Sequence, residues 1–163
     1  MIQVDIKVEG LEEVVDMFHR ATDAVKGPAQ LRALSAGANV IADELEKNTP
    51  VRAENPSGGN SLDKGVLRES VMIRVELDKN NQGGTAYIGF GKYGYVANWL
   101  EYGHRLLTHG MKSIRRVIGF VAPRPFMRQS LEASGQKAVD VYVETMRQEL
   151  QTAGVPLDKS EAA

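Results

Sequence analysis

The stretch that decides the fold of this chain is VMIRVELDKNNQGGTAYIGF, residues 71–90. In its first half, apolar side chains occupy every second position: Val71, Ile73, Val75 and Leu77. They return at the same spacing in the second half, at Ala86, Ile88 and Phe90. A period of two is that of a half-buried strand, and the Asp, Asn and Gly residues of 78–84 are typical of hairpin turns. The sequence therefore predicts an antiparallel hairpin at the centre of the chain.

Upstream of this hairpin, the pattern predicts one strand followed by two helices. Apolar and polar residues alternate over residues 2–8, whereas from Leu11 the apolar spacing becomes helical. Gly27-Pro28 then separates a first helix from a second that ends near Lys47. The apolar stripe predicted for the second helix is Leu31, Leu34, Ala38, Ile41 and Leu45. Small residues that favour close packing against a neighbour are Ala33, Ala36, Gly37 and Ala42.

Downstream of the hairpin, we expect an aromatic helix over about residues 95–102, an irregular segment over 103–115 and a candidate strand over 116–122. A final helix is predicted from Pro125 to about Gln151. Its apolar residues are Phe126, Leu131, Ala138, Val141, Met146 and Leu150. Strands gathered apart from helices indicate an α+β fold. The predicted architecture is a small antiparallel sheet, made of the N-terminal strand, the central hairpin and a candidate fourth strand. It is packed with two N-terminal helices and a long C-terminal helix.

The length and composition are those of one ordinary globular domain. The chain has 163 residues, 42% of them hydrophobic, and a formal net charge of −1. We predict a single domain over residues 1–151, with inserted loops at 53–64 and 104–119 and a flexible tail at 152–163. No cysteine is present, so thiolate chemistry is excluded. Because neither a signal peptide nor a membrane-length apolar run is visible, we expect no membrane association and synthesis in the cytoplasm.

A search for catalytic motifs gives no support for an enzyme. Residues 89–94 match G-x-G-x-x-G, but the strand before them returns from a hairpin, and no acid follows at the distance that a dinucleotide site needs. Glu101, His104 and His109 do not have the spacing of a zinc-protease helix. The sequence therefore predicts no catalytic residue, no cofactor and no metal site.

One segment has an unusual charge pattern. Between Tyr102 and Leu131 there is no acidic residue, yet six cations are present: Arg105, Lys112, Arg115, Arg116, Arg124 and Arg128. Such a patch can dock on an acidic protein surface or neutralise phosphates. We favour protein docking, with Trp99 and Tyr102 as aromatic anchors of the same surface. The alternative is a DNA-binding accessory module that uses the basic segment 104–128.

Four motifs, taken in order, resemble one phage family. They lie at residues 8–14 (VEGLEEV), at 49–52 (TPVR) continued by 65–70 (GVLRES), at 95–103 (YVANWLEYG) and at 121–131 (VAPRPFMRQSL). Together they resemble the neck or tail-completion proteins of long-tailed bacteriophages, the group that includes lambda protein Z.

The resemblance implies a structural virion protein at the head-to-tail junction. It implies a homo-oligomeric ring, six- or twelvefold, placed between head-completion or adaptor proteins on one side and tail-tube or tail-terminator proteins on the other. Genomic DNA would pass through the lumen, where the protein would make non-specific contact with it. Under this interpretation the protein works by binding.

Overall fold

The computed structural model describes residues 11–51, 65–79, 83–107 and 116–155. Five helices and four strands follow one another in these ranges. The helices are α1 (Leu11–Val25), α2 (Pro28–Asn48), α3 (Val66–Glu69), α4 (Gly94–Tyr102) and α5 (Phe126–Thr152). The strands are β1 (Val71–Leu77), β2 (Gly84–Phe90), β3 (His104–Leu107) and β4 (Val117–Val121). The α+β class, the two N-terminal helices and the long C-terminal helix are confirmed.

Two long helices, α2 and α5, form the largest packing interface in the described chain. They run antiparallel, since Gln30 near the start of α2 bonds to Tyr142 near the end of α5, and Asn48 at the end of α2 bonds to Ser130 near the start of α5. Close approach depends on Gly37, where a Cβ would lie 2.9 Å from the carbonyl oxygen of Ala138. The close packing predicted for the small residues of α2 is thus confirmed.

Two predicted apolar positions are exposed, because the helices approach each other through their small residues. The most buried face of α2 comprises Ala29, Ala33, Gly37, Ala38, Ala42 and Leu45. Leu31 points away from that face, and it is exposed. On α5 the buried positions include Ser130 and Ser134, whereas Leu131 is 55% exposed. The predicted burial of Leu31 and Leu131 was wrong, because on each helix the stripe of larger apolar residues lies to one side of the face that is buried.

The central hairpin forms as predicted. β1 and β2 pair antiparallel in a register that joins Val71 to Phe90 and Leu77 to Gly84. Alternate side chains of β1 are half-buried, and both strands pack on α2. The main apolar cluster lies at the Phe90 end, where the rings of Phe90 and Phe126 meet edge to face with centroids 5.9 Å apart. This cluster joins the hairpin to the start of α5.

The remaining predictions for strands and loops had mixed outcomes. The N-terminal strand predicted at residues 2–8 and the inserted loop at 53–64 lie outside the described residues. The candidate strand at 116–122 is present as β4, but it pairs with β3 in a second two-stranded sheet and not with the central hairpin. Residues 104–107, predicted to be irregular, therefore form a strand. The helix predicted from Pro125 begins at Phe126, with Pro125 as its N-cap.

Candidate functional site

The N-terminus of α5 is capped by a carboxylate from another helix. Glu101, near the end of α4, is only 5% exposed. Its Oε2 accepts a hydrogen bond from the Met127 N–H at 2.9 Å, and its Oε1 accepts one from the Arg128 N–H at 3.2 Å. The first N–H groups of a helix have no partner within the helix, and Pro125 offers no side-chain acceptor. Glu101 therefore supplies the cap that the local sequence lacks.

The other two N–H groups of this first turn are also satisfied. The Phe126 N–H donates to the Arg124 carbonyl oxygen at 2.8 Å, and the Gln129 N–H donates to the Pro125 carbonyl oxygen at 3.1 Å. One residue earlier in the chain, the Arg124 N–H donates to the Leu100 carbonyl oxygen at 2.7 Å. The segment between β4 and α5 is thus fixed to the end of α4 by backbone bonds as well as by Glu101.

Gly103 lies between α4 and β3, at a position that only glycine fits well. Its φ of 72° is in the left-handed region, and a Cβ there would lie 2.5 Å from the Val121 carbonyl oxygen. It is the C-cap of α4, directly after residue 102, where the aromatic helix was predicted to end. This tight crossing brings the start of β3 against the end of β4, so that both strands leave the body of the protein at one point.

We call the pair β3 and β4 the arm. In the described part of the chain its strands pack mainly on each other, and His104 contacts Trp99 at its base. The cross-strand pairs are His104 with Val121, Arg105 with Phe120, Leu106 with Gly119 and Leu107 with Val117. A register irregularity lies between Leu106 and Leu107.

The arm exposes an apolar face to solvent. Because successive side chains of a strand point to opposite sides, Arg105 and Phe120 share one face, to which Leu107 and Val117 also belong. Ile118 and Phe120 are 66% and 62% exposed. On the opposite face His104, Gly119 and Val121 are half-covered, whereas Leu106 is 41% exposed. We call the exposed set the apolar face of the arm: Leu107, Val117, Ile118 and Phe120.

The aromatic residues predicted as anchors lie beside the base of the arm. Trp99 is half-exposed, and its ring contacts Tyr95 edge to face, with centroids 5.2 Å apart. On its other side Trp99 lies over the His104 ring, with centroids 5.4 Å apart. Tyr102 is 66% exposed. The exposed aromatic surface of α4 thus adjoins the base of the arm through His104.

Four of the six cations of the predicted surface lie among the described residues. Arg105 lies on the arm, Arg124 follows it and Arg128 is in the first turn of α5; all three are exposed. None of these three forms an ion pair with another described side chain. Arg116, just before β4, is exposed but interacts within the chain. Lys112 and Arg115 lie outside the described residues, so their part in the predicted surface stays a prediction.

An open cleft of about 460 Å³ lies between α2, β2, α4 and α5. Its apolar lining is Ile41, Leu45, Ala86, Ile88, Met127 and Leu131, and its polar lining is Asn98, Glu101, Tyr102, Arg128 and Ser130. Two of the predicted surface residues, Tyr102 and Arg128, thus lie at this cleft. The sequence reasoning missed the cleft and the apolar face of the arm. The continuous apolar run at residues 117–121 was the one sequence signal for the latter.

Within the described ranges, no three His, Asp or Glu side chains converge as a metal site would require. Nor is any helix in those ranges long and apolar enough to cross a membrane. The exposed features of the site are therefore surfaces, with apolar side chains and cations as their chemistry. Such surfaces suit contact with another macromolecule.

Comparison with known proteins gives one family. A family model described as "Bacteriophage HK97-gp10, putative tail-component" matches residues 9–103. This range contains the motifs at 49–70 and 95–103 and most of the first one, whereas the motif at 121–131 lies beyond it. Searches of curated proteins and of solved structures gave no match.

Proposed function

The chain belongs to the HK97-gp10-like family of bacteriophage tail components, and from this premise we propose that it forms part of the neck, the connector between head and tail. In this proposal, copies of the chain assemble into a ring of six or twelve. The ring contacts head-completion or adaptor proteins on one side and tail-tube or tail-terminator proteins on the other. The narrower likeness to lambda protein Z belongs to the same proposal.

The observation that carries the proposal is the arm. A two-stranded hairpin is marginally stable alone and normally needs a third strand or a packed face. Here the apolar face of the arm is left in solvent, and Trp99 and Tyr102, near the base of the arm, are exposed as well. An exposed apolar patch with cations at its edge is typical of a protein-binding surface. A subunit built to contact other polypeptides in a particle would present such a surface.

We further propose that the role involves no catalytic step. The buried Glu101, the one carboxylate among the described residues that line the cleft, accepts hydrogen bonds from two backbone N–H groups and so serves as a helix cap. This use leaves it poorly placed for proton transfer.

A second candidate is the DNA-binding accessory module. It is favoured by Arg105, Arg124 and Arg128, which are exposed and without an ion pair among the described side chains. Binding through phosphate contacts would weaken steeply with salt, with a slope that counts the contacts. Titration of duplex DNA at 50 and 200 mM salt tests it, and under the connector proposal we expect only weak, sequence-independent binding.

Complementation tests the connector proposal directly. Deleting the gene from the phage that encodes it should leave filled heads and separate tails, and the wild-type chain supplied from a plasmid should restore joined particles. The double variant Arg105→Glu, Arg124→Glu should fail to restore them while its thermal unfolding stays unchanged. A matched control, Arg20→Glu with Lys137→Glu, reverses two exposed cations on α1 and α5 and should restore joining. Normal joining by the first variant would contradict the docking role of the cations.

A further inference from the structure

The cleft lies beside a strand edge that has no partner within the described chain. The register of the central hairpin, together with the bond from the Gly91 N–H to the Ser70 carbonyl oxygen, shows which groups form that edge. Bonded and non-bonded pairs alternate along an antiparallel ladder, so the N–H and C=O groups of Ala86 and Ile88 point away from β1. Among the described residues the sheet ends there, with two strands.

The outer edge of β2 lacks the features that protect an exposed strand. Proteins commonly block such edges with charged side chains, proline or a bulge. β2 has the sequence GTAYIGF, without a charge or a proline, and its pairing with β1 is regular. β1, in contrast, carries Arg74 and Glu76. The edge of β2 is therefore a template for pairing with an extended segment.

This edge and the cleft form one site. The side chains of Ala86 and Ile88, whose backbone groups form the edge, also line the cleft, and Met127 and Leu131 of α5 line it too. Because successive side chains of a strand point to opposite sides, a segment added to β2 directs every second side chain to the cleft. Backbone bonds at an open edge, combined with apolar contacts for alternate side chains, are the two elements of strand addition.

The charge at the cleft is positive. Its charged lining residues are Glu101 and Arg128. Glu101 is buried and accepts two backbone bonds, whereas Arg128 is exposed and has no ion pair with another described side chain. A free cation selects an acidic side chain. The chain's own residues 2–8 do not have this pattern, because in an extended segment Asp5 lies on the side opposite to the apolar residues.

We propose that β2 and the cleft together form a strand-addition site for an acidic, apolar segment of another polypeptide. The segment pairs its backbone with Ala86 and Ile88, packs alternate apolar side chains against Leu131 and places a carboxylate beside Arg128. This inference rests on the proposed function and deepens it, since the donor of the segment is a neighbouring protein of the particle.

Synthetic peptides test the charge preference on the full chain. The probe alternates threonine with leucine and glutamate and is offered in both directions, TLTLTET and TETLTLT. Binding should shift the amide NMR signals of Ala86, Ile88 and Leu131. With lysine in place of glutamate, binding should be about tenfold weaker, the equivalent of one charge-assisted hydrogen bond. Arg128→Glu should invert this preference, whereas Lys137→Glu, at an exposed cation elsewhere on α5, should leave it unchanged.

A second pair of peptides tests the backbone pairing without any change to the protein. Only every second N–H of an added strand points to its neighbour. N-methylation of one alternate set of residues, either the threonines or the leucines with the glutamate, should therefore abolish binding, and N-methylation of the other set should preserve it. Equal binding by the two N-methylated peptides, or equal binding of the glutamate and lysine probes, would overturn the inference.

The remaining outcomes separate this inference from the connector proposal. If the full chain binds no probe, the inference is wrong, and binding by a chain that lacks residues 1–9 would then identify its own N-terminal segment as the occupant of the edge. These failures leave the connector proposal standing, because complementation measures joining separately. If the wild-type chain does not restore joined particles, the connector proposal fails, whatever the peptides show.

Discussion

Replacing Glu101 should destabilise the protein far more than replacing an ordinary surface acid. The carboxylate is 5% exposed and accepts two hydrogen bonds, from the Met127 and Arg128 N–H groups, at the positive end of a 27-residue helix. Hydrogen bonds to a charged group contribute about 1.5 kcal/mol or more each. Glu101→Ala removes both bonds and leaves two N–H groups without a partner, so we expect a loss of about 3 kcal/mol. Glu101→Gln keeps the side-chain volume and one acceptor oxygen, so we expect it to lower the free energy of unfolding by about half as much.

Urea unfolding followed by circular dichroism measures these losses. A loss of about 3 kcal/mol corresponds to a fall in Tm of roughly 6–12 °C for a domain of this size. Glu132→Gln is the control, since Glu132 is an exposed acid on the same helix and should change the free energy of unfolding by less than about 0.5 kcal/mol. If Glu101→Ala and Glu101→Gln both unfold like this control, the capping role is refuted.

Three further perturbations test the packing and the charges. Gly37→Ala should destabilise the protein by about 1 kcal/mol, because the new Cβ meets the Ala138 carbonyl oxygen at 2.9 Å. Gly135→Ala, where a Cβ would have nothing within 4 Å, should stabilise it by about 0.5–1 kcal/mol. Equal shifts of the two variants in urea midpoint would contradict the close helix contact. Gly103→Ala combines a φ of 72° with a 2.5 Å contact and should cost about 2 kcal/mol or more, measured by the same unfolding assay. The Arg32 guanidinium donates two hydrogen bonds to Glu149 and lowers the pKa of that carboxyl below its ordinary 4.5. The pair therefore stabilises the fold above about pH 4.5 and loses this effect as the pH falls through the lowered pKa. The difference in urea midpoint between wild type and Arg32→Gln should accordingly shrink as the pH falls below 4.5, and a difference that stays constant through the acid range would contradict it.

The elements that rest on a local pattern were predictable from the sequence. The central hairpin follows from its period of two and its Asn- and Gly-rich turn, and α2 begins at Pro28 because proline suits the first helical turn. The end of α4 was also predictable, since a helix commonly stops at a glycine that adopts a positive φ, as Gly103 does. In each case the residues that form the feature are neighbours in the chain.

The elements that depend on distant partners were not predictable. The side of α5 that faces α2 carries Ser130 and Ser134, which donate to carbonyl oxygens one turn back in their own helix, and no apolar period reveals such a face. Leu131 was assigned to the core because it is leucine, yet it lies at the open cleft. Glu101 matched a known motif, but its role as a cap requires the position of α5, which is 25 residues further on. Neither the cleft nor the arm has a sequence period that would indicate it.

The position of the Glu101 cap explains why two separate motifs of this chain occur together. The motif at 95–103 supplies the carboxylate and the glycine, and the motif at 121–131 supplies the two N–H groups and the extended segment that bonds to Leu100. β3 begins directly after the first motif, and β4 ends where the second motif begins. The same contacts that cap α5 therefore also set the direction of the arm. A buried charged cap and a glycine at positive φ against the Val121 carbonyl oxygen leave the base of the arm little freedom, so the arm presents its exposed side chains in one fixed direction.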